Sequence, residues 1–246
     1  MARIFITGSA DGLGQRCATS LLERGHQVVL HARNERRGKD ALKRNPGAET
    51  VLIADLSGID EIIHLAETAN ATGPFDAVIH NAGVYQADTK AILHVNVLTP
   101  YILTARMQQP ARLVYLSSGM HLHGHVSAAT FDHHMPGLNY SDSKLLVVLL
   151  CMATARLWKD VYANAVNPGW VPTKMGGPGA PDSLQKGYET QTWLAASKDA
   201  NALVSGRYFF HQQQKPCHPA AKDIALQQQF FGACEQLSGV SFPSII

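Results

Sequence analysis

Cysteine and charge are both scarce in this 246-residue chain. The four cysteines, Cys17, Cys151, Cys217 and Cys234, stand far apart and form no C-x-x-C pair. That spacing indicates neither a zinc site nor a disulfide framework. Reduced thiols in a cytoplasmic protein are the simplest expectation. Charged residues make up only 16% and apolar residues 46%, a balance that argues against disorder and for a sizeable core. Long hydrophobic runs are missing too. The longest, Leu145 to Ala153, falls far below the roughly 20 residues a membrane-spanning helix needs. A strand-like run beginning at Arg3 leaves no room for a signal peptide. The formal net charge of +2 gives no overall attraction to nucleic acid or to a membrane. Basic residues do gather at Arg33, Arg36, Arg37, Lys39, Lys43 and Arg44, but without the interleaved aromatics of a single-strand binder.

What is present is alternation. Apolar, β-rich runs at 2–8, 27–33, 50–56, 75–83, 111–118, 161–169 and 206–212 are separated by helical stretches near 13–25, 35–45, 58–72, 90–107, 141–158 and 183–197, with a last helix near 222–237. Strands with continuous Val/Ile/Leu content between helices imply a parallel sheet covered on both faces. The expectation is an α/β fold, one doubly wound Rossmann-type domain of about seven strands. Its cofactor-binding part runs to about residue 118 and its catalytic and substrate-binding part follows. Gly25 closes the first helix at its C′ position. Pro100 should interrupt the 90–107 helix.

TGSADGLG (7–14) joins the first strand to the first helix. Gly8 and Gly12 supply backbone freedom, and Gly14 lets helix and strand approach. The free N–H groups at the helix start favour a diphosphate. The spacing is G-x-x-x-G-x-G, so the general dinucleotide fingerprint does not match. In such folds the end of the second strand selects the adenosine ribose. There the chain offers Ala32 and Arg33 with no acid before Glu35, which favours the 2′-phosphate of NADP(H) over the bare hydroxyl of NAD(H).

YSDSK (140–144) places Tyr140 and Lys144 one helical turn apart, on the same face. With TGSADGLG, Asp55-Leu56, Asn81-Ala82-Gly83, Ser117-Ser118, Tyr140-x-x-x-Lys144 and Pro168-Gly169 in this order, the sequence resembles a short-chain dehydrogenase/reductase of the classical type over roughly residues 3 to 212. The resemblance implies a nicotinamide cofactor and hydride transfer between it and a carbonyl or alcohol carbon. It implies that Gly8, Ser9, Asp11, Gly12, Leu13 and Gly14 form the phosphate turn, and that Asp55 and Leu56 lie by the adenine. Asn81, Ala82 and Gly83 would flank the adenosine, and Pro168, Gly169, Val171 and Thr173 the nicotinamide. Asn96 resembles the asparagine that holds a water in a proton relay. Ser118 matches the substrate-positioning serine, with Ser117 as its substitute. Tyr140 is then the acid or base, and Lys144 holds the ribose and favours the phenolate.

Two spacings depart from the family pattern: only 12 residues lie between Gly83 and Asn96, and 21 separate Ser118 from Tyr140. Both fall on the substrate side. Tyr85, Met120, Trp170 and Met175, with Leu122, Tyr188 and Trp193, would line an apolar cleft for a hydrophobic carbonyl or alcohol; Lys174 is the one cation placed to hold an anionic substrate. The histidines at 121, 123, 125, 133 and 134 lack partners for a metal site apart from Asp132, so no metal is expected. The helix after Lys144, apolar nearly all round, needs a second cover. A homodimer or homotetramer would supply it; the last 35 residues are the alternative. A catalytically silent NADP-sensing protein of the same fold is the competing function. A sugar-nucleotide epimerase is disfavoured by the short C-terminal part.

Overall fold

The computed structural model describes residues 1–131 and 135–243. In chain order the main elements are β1 (Arg3–Ile6), α1 (Gly12–Glu23), β2 (Gln27–Ala32), α2 (Glu35–Arg44), β3 (Thr50–Ile53), α3 (Ile59–Ala71) and β4 (Ala77–His80). Then come α4 (Thr89–Ala91), a π-helical stretch (Ile92–Leu98), α5 (Thr99–Arg106), β5 (Arg112–Leu116), α6 (Tyr140–Leu157), β6 (Tyr162–Asn167) and α7 (Leu184–Ala196). The chain continues through β7 (Arg207–Phe210), β8 (Gln213–Lys215) and α8 (Ile224–Ser238). The strands form one sheet in the order β3-β2-β1-β4-β5-β6-β7-β8. Neighbours from β3 to β7 are parallel, giving the doubly wound α/β fold.

The sheet has eight strands where about seven are expected. The run 206–212 does not stay extended: His211 and Gln212 turn with φ of 49° and 61°, and β8 returns antiparallel to β7. Two-residue hairpins with both φ positive usually carry Asn or Gly, so His-Gln gives no sequence signal.

Each sheet face is covered separately. Cys17, Ala18 and Leu21 of α1 and Leu194 and Ala195 of α7 pack on one face, in a cluster with Ile4, Ile6 and Val166. Residues of α3, α5, α6 and α8 pack on the other, with Phe5, Tyr101, Tyr115 and Phe230. Pro100 falls in the first turn of α5, where a missing N–H costs least. The break comes just before it, as the π-helical stretch, and there the backbone N–H of Thr99 donates back to His94.

α6 is buried continuously from Asp142 to Thr154. Its second cover comes from its own chain. Tyr101 of α5 lies among Phe230, Phe231 and Phe242, with ring centroids 5.8–6.3 Å away, and its hydroxyl donates to the Val240 carbonyl at 2.9 Å. Phe242 also stacks on Trp158 at 5.3 Å. α8 and the Val240–Phe242 tail thus supply apolar cover beside α5 and α6. Among the described residues, no helix is long and apolar enough to cross a membrane.

Candidate active site

The sequence places Tyr140 at the first position of α6, directly after an N-cap. The Asn139 side chain accepts from the Asp142 N–H at 3.1 Å, and the Asp142 carboxylate accepts from the Asn139 N–H at 3.3 Å, a reciprocal cap that fixes the helix start. Ser118 follows β5 with its side chain beside the Tyr140 hydroxyl, near enough to pull that phenol down, and its Oγ accepts from the Met120 N–H at 3.2 Å. Ser117 points elsewhere: its hydroxyl donates to the Lys144 carbonyl at 2.8 Å and it is buried. Of the two serines, Ser118 faces the tyrosine.

Lys144 donates from Nζ to the Leu116 carbonyl at 2.9 Å. Full burial lowers its ammonium to a pKa of about 8. Burial also raises the Tyr140 phenol to about 12, with Ser118 pulling it down and Tyr85 pushing it up. In the free protein desolvation outweighs any help from Lys144, and the phenol keeps its proton. Tyr85 packs edge-on against Tyr140, with centroids 4.7 Å apart.

Asn96 sits in the π-helical stretch and is buried. Its amide donates to the Val84 carbonyl at 2.9 Å and to Ser143 Oγ at 3.0 Å, and its Oδ1 accepts from the Val84 N–H at 2.8 Å. Ser143 in turn donates to the Tyr140 carbonyl at 2.7 Å. Both amide hydrogens are thus spent, leaving one lone pair on Oδ1 for any further partner. Gly83 completes the cluster, since a Cβ there would stand 3.3 Å from Lys144 Nζ and 3.5 Å from Asn96 Oδ1.

The glycine turn is built for close approach. Gly8 and Gly12 have φ of 64° and 55°. A Cβ on Gly14 would meet Asn81 Nδ2 at 2.4 Å. Above Gly12 the nearest atom is the Thr173 methyl, 3.8 Å from such a Cβ, so the turn and the Pro168–Thr173 loop face one another. Three of the expected residues have side chains with local partners of their own. The Ser9 hydroxyl is buried, donating to the Ile6 carbonyl at 2.9 Å and accepting from the His31 N–H at 2.8 Å. Leu56 packs into the core. Asp55 accepts from the Ser57 N–H at 3.1 Å within its own turn.

Asp11 behaves differently again. It caps α1, accepting from the Gly12 N–H at 2.8 Å, and pairs with Lys174 and, at 3.6 Å, with Arg37. The Lys174 hydrogen bond comes first among the causes that hold its carboxyl below the usual range. Lys174 pairs with Asp11 in the free protein. Leu13 and Val171 meet at Gly187, 3.1 and 2.8 Å from its would-be Cβ. Gly169 (φ 85°) faces the Asp182 carboxylate.

Sequence reasoning missed the residues that lace this region together. Thr7 Oγ1 accepts from the N–H groups of Asn81 and Ala82, both at 3.0 Å. His31 Nδ1 accepts from the Gly8 N–H at 3.0 Å, so its Nε2 donates to the Ala54 carbonyl at 3.1 Å. Burial drops that imidazole to about 4. Single buried polar residues of this sort leave no periodic trace.

Tyr85, Met120, Trp170 and Met175 are 38%, 38%, 60% and 48% exposed, and Leu122 51%. All five are exposed side chains, and only Tyr85 packs against Tyr140. Trp193 is core, packed on Phe209 at 5.5 Å, and Tyr188 packs against the same cluster. A hollow of about 410 Å³ between α7 and the β7–β8 turn, lined by Lys186, Thr190, His211 and Lys215, shares no residue with the Tyr140 cluster. Among the described residues no three His, Cys, Asp or Glu side chains gather to hold a metal; Asp132, His133 and His134 lie outside them.

A sequence profile described as short chain dehydrogenase matches residues 2–183. The chain belongs to the short-chain dehydrogenase/reductase family. It is 42% identical to an uncharacterized oxidoreductase of Emericella nidulans, over 99% of both chains. Among solved structures it resembles a protein from Mycobacterium paratuberculosis (TM-score 0.82, 24% identity, 99% of this chain and 95% of that one). It also resembles a blue fluorescent protein from a metagenomic library, solved in complex with NADPH (TM-score 0.69, 18% identity, 85% and 95%). As a member of this family the protein is an oxidoreductase enzyme.

Proposed function

We propose that the protein is an NADP(H)-dependent carbonyl reductase or alcohol dehydrogenase for a mainly hydrophobic small molecule, working as one cytoplasmic domain. The observation that carries this reading is the Tyr140 hydroxyl beside the Ser118 side chain, with Lys144 Nζ 5.5 Å from the Tyr140 ring, one turn along α6. Gly8, Gly12, Gly14, Asn81, Gly83 and Thr173 would hold the cofactor, and Arg33, exposed just after β2, would meet its 2′-phosphate. When bound, the nicotinamide supplies or takes up the hydride.

The chain's own residues handle the oxygen. Ser118 donates a hydrogen bond to the substrate oxygen as charge develops there. Tyr140, protonated in the free protein, gives its hydroxyl proton to that oxygen in reduction and recovers it in oxidation. Lys144 keeps a positive charge beside the ring below a pH of about 8, which stabilises the phenolate left behind. Asn96 fixes the start of α6 through Ser143. Exposed apolar side chains such as Tyr85 and Met120 select the substrate, and α8 with the Val240–Phe242 tail gives α6 the cover that the monomeric alternative needs.

The test is kcat/KM for an aryl ketone, a cyclic ketone, pyruvate and dihydroxyacetone phosphate with NADPH. The ketones should lead by at least about tenfold, about 1.4 kcal/mol. A preference for either anionic substrate contradicts the apolar reading.

A further inference from the structure

The Ser118 hydroxyl serves the proposed reaction, but its carbonyl has an environment of its own. Three donors converge on that oxygen: the His121 backbone N–H at 3.1 Å, His121 Nδ1 at 2.8 Å and the Tyr208 hydroxyl at 3.3 Å. The His121 ring is fully buried, 4.4 Å from the Tyr208 ring. Its other nitrogen, Nε2, faces the backbone N–H of His218 at 3.2 Å.

A backbone N–H can only donate, so Nε2 accepts and the ring's single proton sits on Nδ1, pointing at Ser118. One neutral tautomer satisfies both bonds. An imidazolium would instead set one N–H against another. Among the described residues, the groups facing the ring, His123, His218 and Tyr208, offer no anion to favour it. Burial, reinforced by His218 and His123, holds the imidazole below its ordinary range, in the same direction.

We propose that His121, as the neutral Nδ1–H imidazole, is a positioning residue that fixes Ser118 for catalysis and ties it to the C-terminal segment at His218. Ser118 lies beyond the last paired residue of β5, so no strand ladder holds its peptide. His121, three residues on in the 3-10 helix Gly119–His123, folds back and supplies that restraint. Tyr208, on β7, braces the ring, with its hydroxyl donating to the same Ser118 carbonyl. His218 is itself fixed, its Nδ1 accepting from the Ala220 N–H at 3.2 Å at the start of the 3-10 helix Pro219–Lys222. With both ring nitrogens spent, His121 is no metal ligand.

The proposal rests on Ser118 holding the substrate oxygen, and its test separates the two claims. His121→Ala should lower kcat by about 10- to 100-fold, as a loosened catalytic group does, while the NADPH Kd stays within about twofold. His121→Asn, whose side-chain amide can donate near the Nδ1 position, should recover most of the loss. A kcat for His121→Ala within about twofold of wild type, or no recovery with Asn, overturns the proposal. Nitrogen NMR of ¹⁵N-histidine-labelled wild type reads the tautomer without any substrate, even if His121→Ala fails to fold. A protonated Nδ1 with a bare Nε2 is expected; the reverse tautomer or an imidazolium at neutral pH overturns the clamp. Absence of turnover on every carbonyl would sink the proposed reaction, and the NMR result would still decide the clamp.

Discussion

The Lys144 ammonium nitrogen stands 5.5 Å from the centroid of the Tyr140 ring, one helical turn further along α6. Both groups are desolvated, and burial moves them in opposite directions: the phenol up to about 12, the ammonium down to about 8. In the free protein the tyrosine therefore keeps its proton through neutral pH, and the lysine is the group that titrates near the working range. Lys144 holds its charge below about pH 8 and loses it as the pH rises through that value. The kcat/KM for NADPH, which reports free-enzyme groups, should fall on an alkaline limb near pH 8. Lys144→Met should lack that limb. A limb appearing only above pH 10 would mean that burial does not depress the lysine.

Arg33 leaves β2 where the sugar edge of the cofactor is expected, and Ala32 before it is buried and uncharged. Arg33→Ala should weaken NADPH binding by at least about tenfold, in line with the loss of a charge-assisted phosphate contact. NADH binding should change little. Fluorescence titrations showing equal losses for both cofactors would remove the arginine from the selection.

Phe230 is fully buried between Tyr101 and Phe131, at 6.3 and 6.0 Å. Truncating it leaves a cavity in the cover of α5 and α6. Phe230→Ala should cost about 3–5 kcal/mol, a fall in Tm of roughly 6–20 °C for a chain of this size. Light scattering on the wild type should give the monomer mass of 26.7 kDa. A stable dimer with an unaltered Tm in the variant would show that α8 is not the cover described.

The parts legible in the sequence are those with a period or a spacing. Continuous apolar runs located β1 to β7, and the glycine turn and the Tyr140/Lys144 pair stood out because several residues repeat a pattern. β8 was invisible because His211 and Gln212 are not turn residues by composition. Ser9, Leu56 and Asp11 sit in the right segment, but their side chains answer local demands: a buried hydrogen bond, core packing and a helix cap. Thr7, His31, His121 and Ser143 act singly through buried hydrogen bonds to distant segments, which only folding brings together. The apolar face of α6 announced its need for a cover; which segment supplies it depends on the path of residues 219–242.

The central claim is that the Tyr140 hydroxyl moves the proton of a hydride-transfer reaction. Steady-state NADPH oxidation with the best ketone of the panel, comparing wild type with Tyr140→Phe, tests it most directly. The variant keeps the ring against Tyr85 and loses only the hydroxyl. The account predicts that kcat falls by about 10²- to 10⁴-fold with the NADPH Kd nearly unchanged. A kcat within a few-fold of wild type would contradict it.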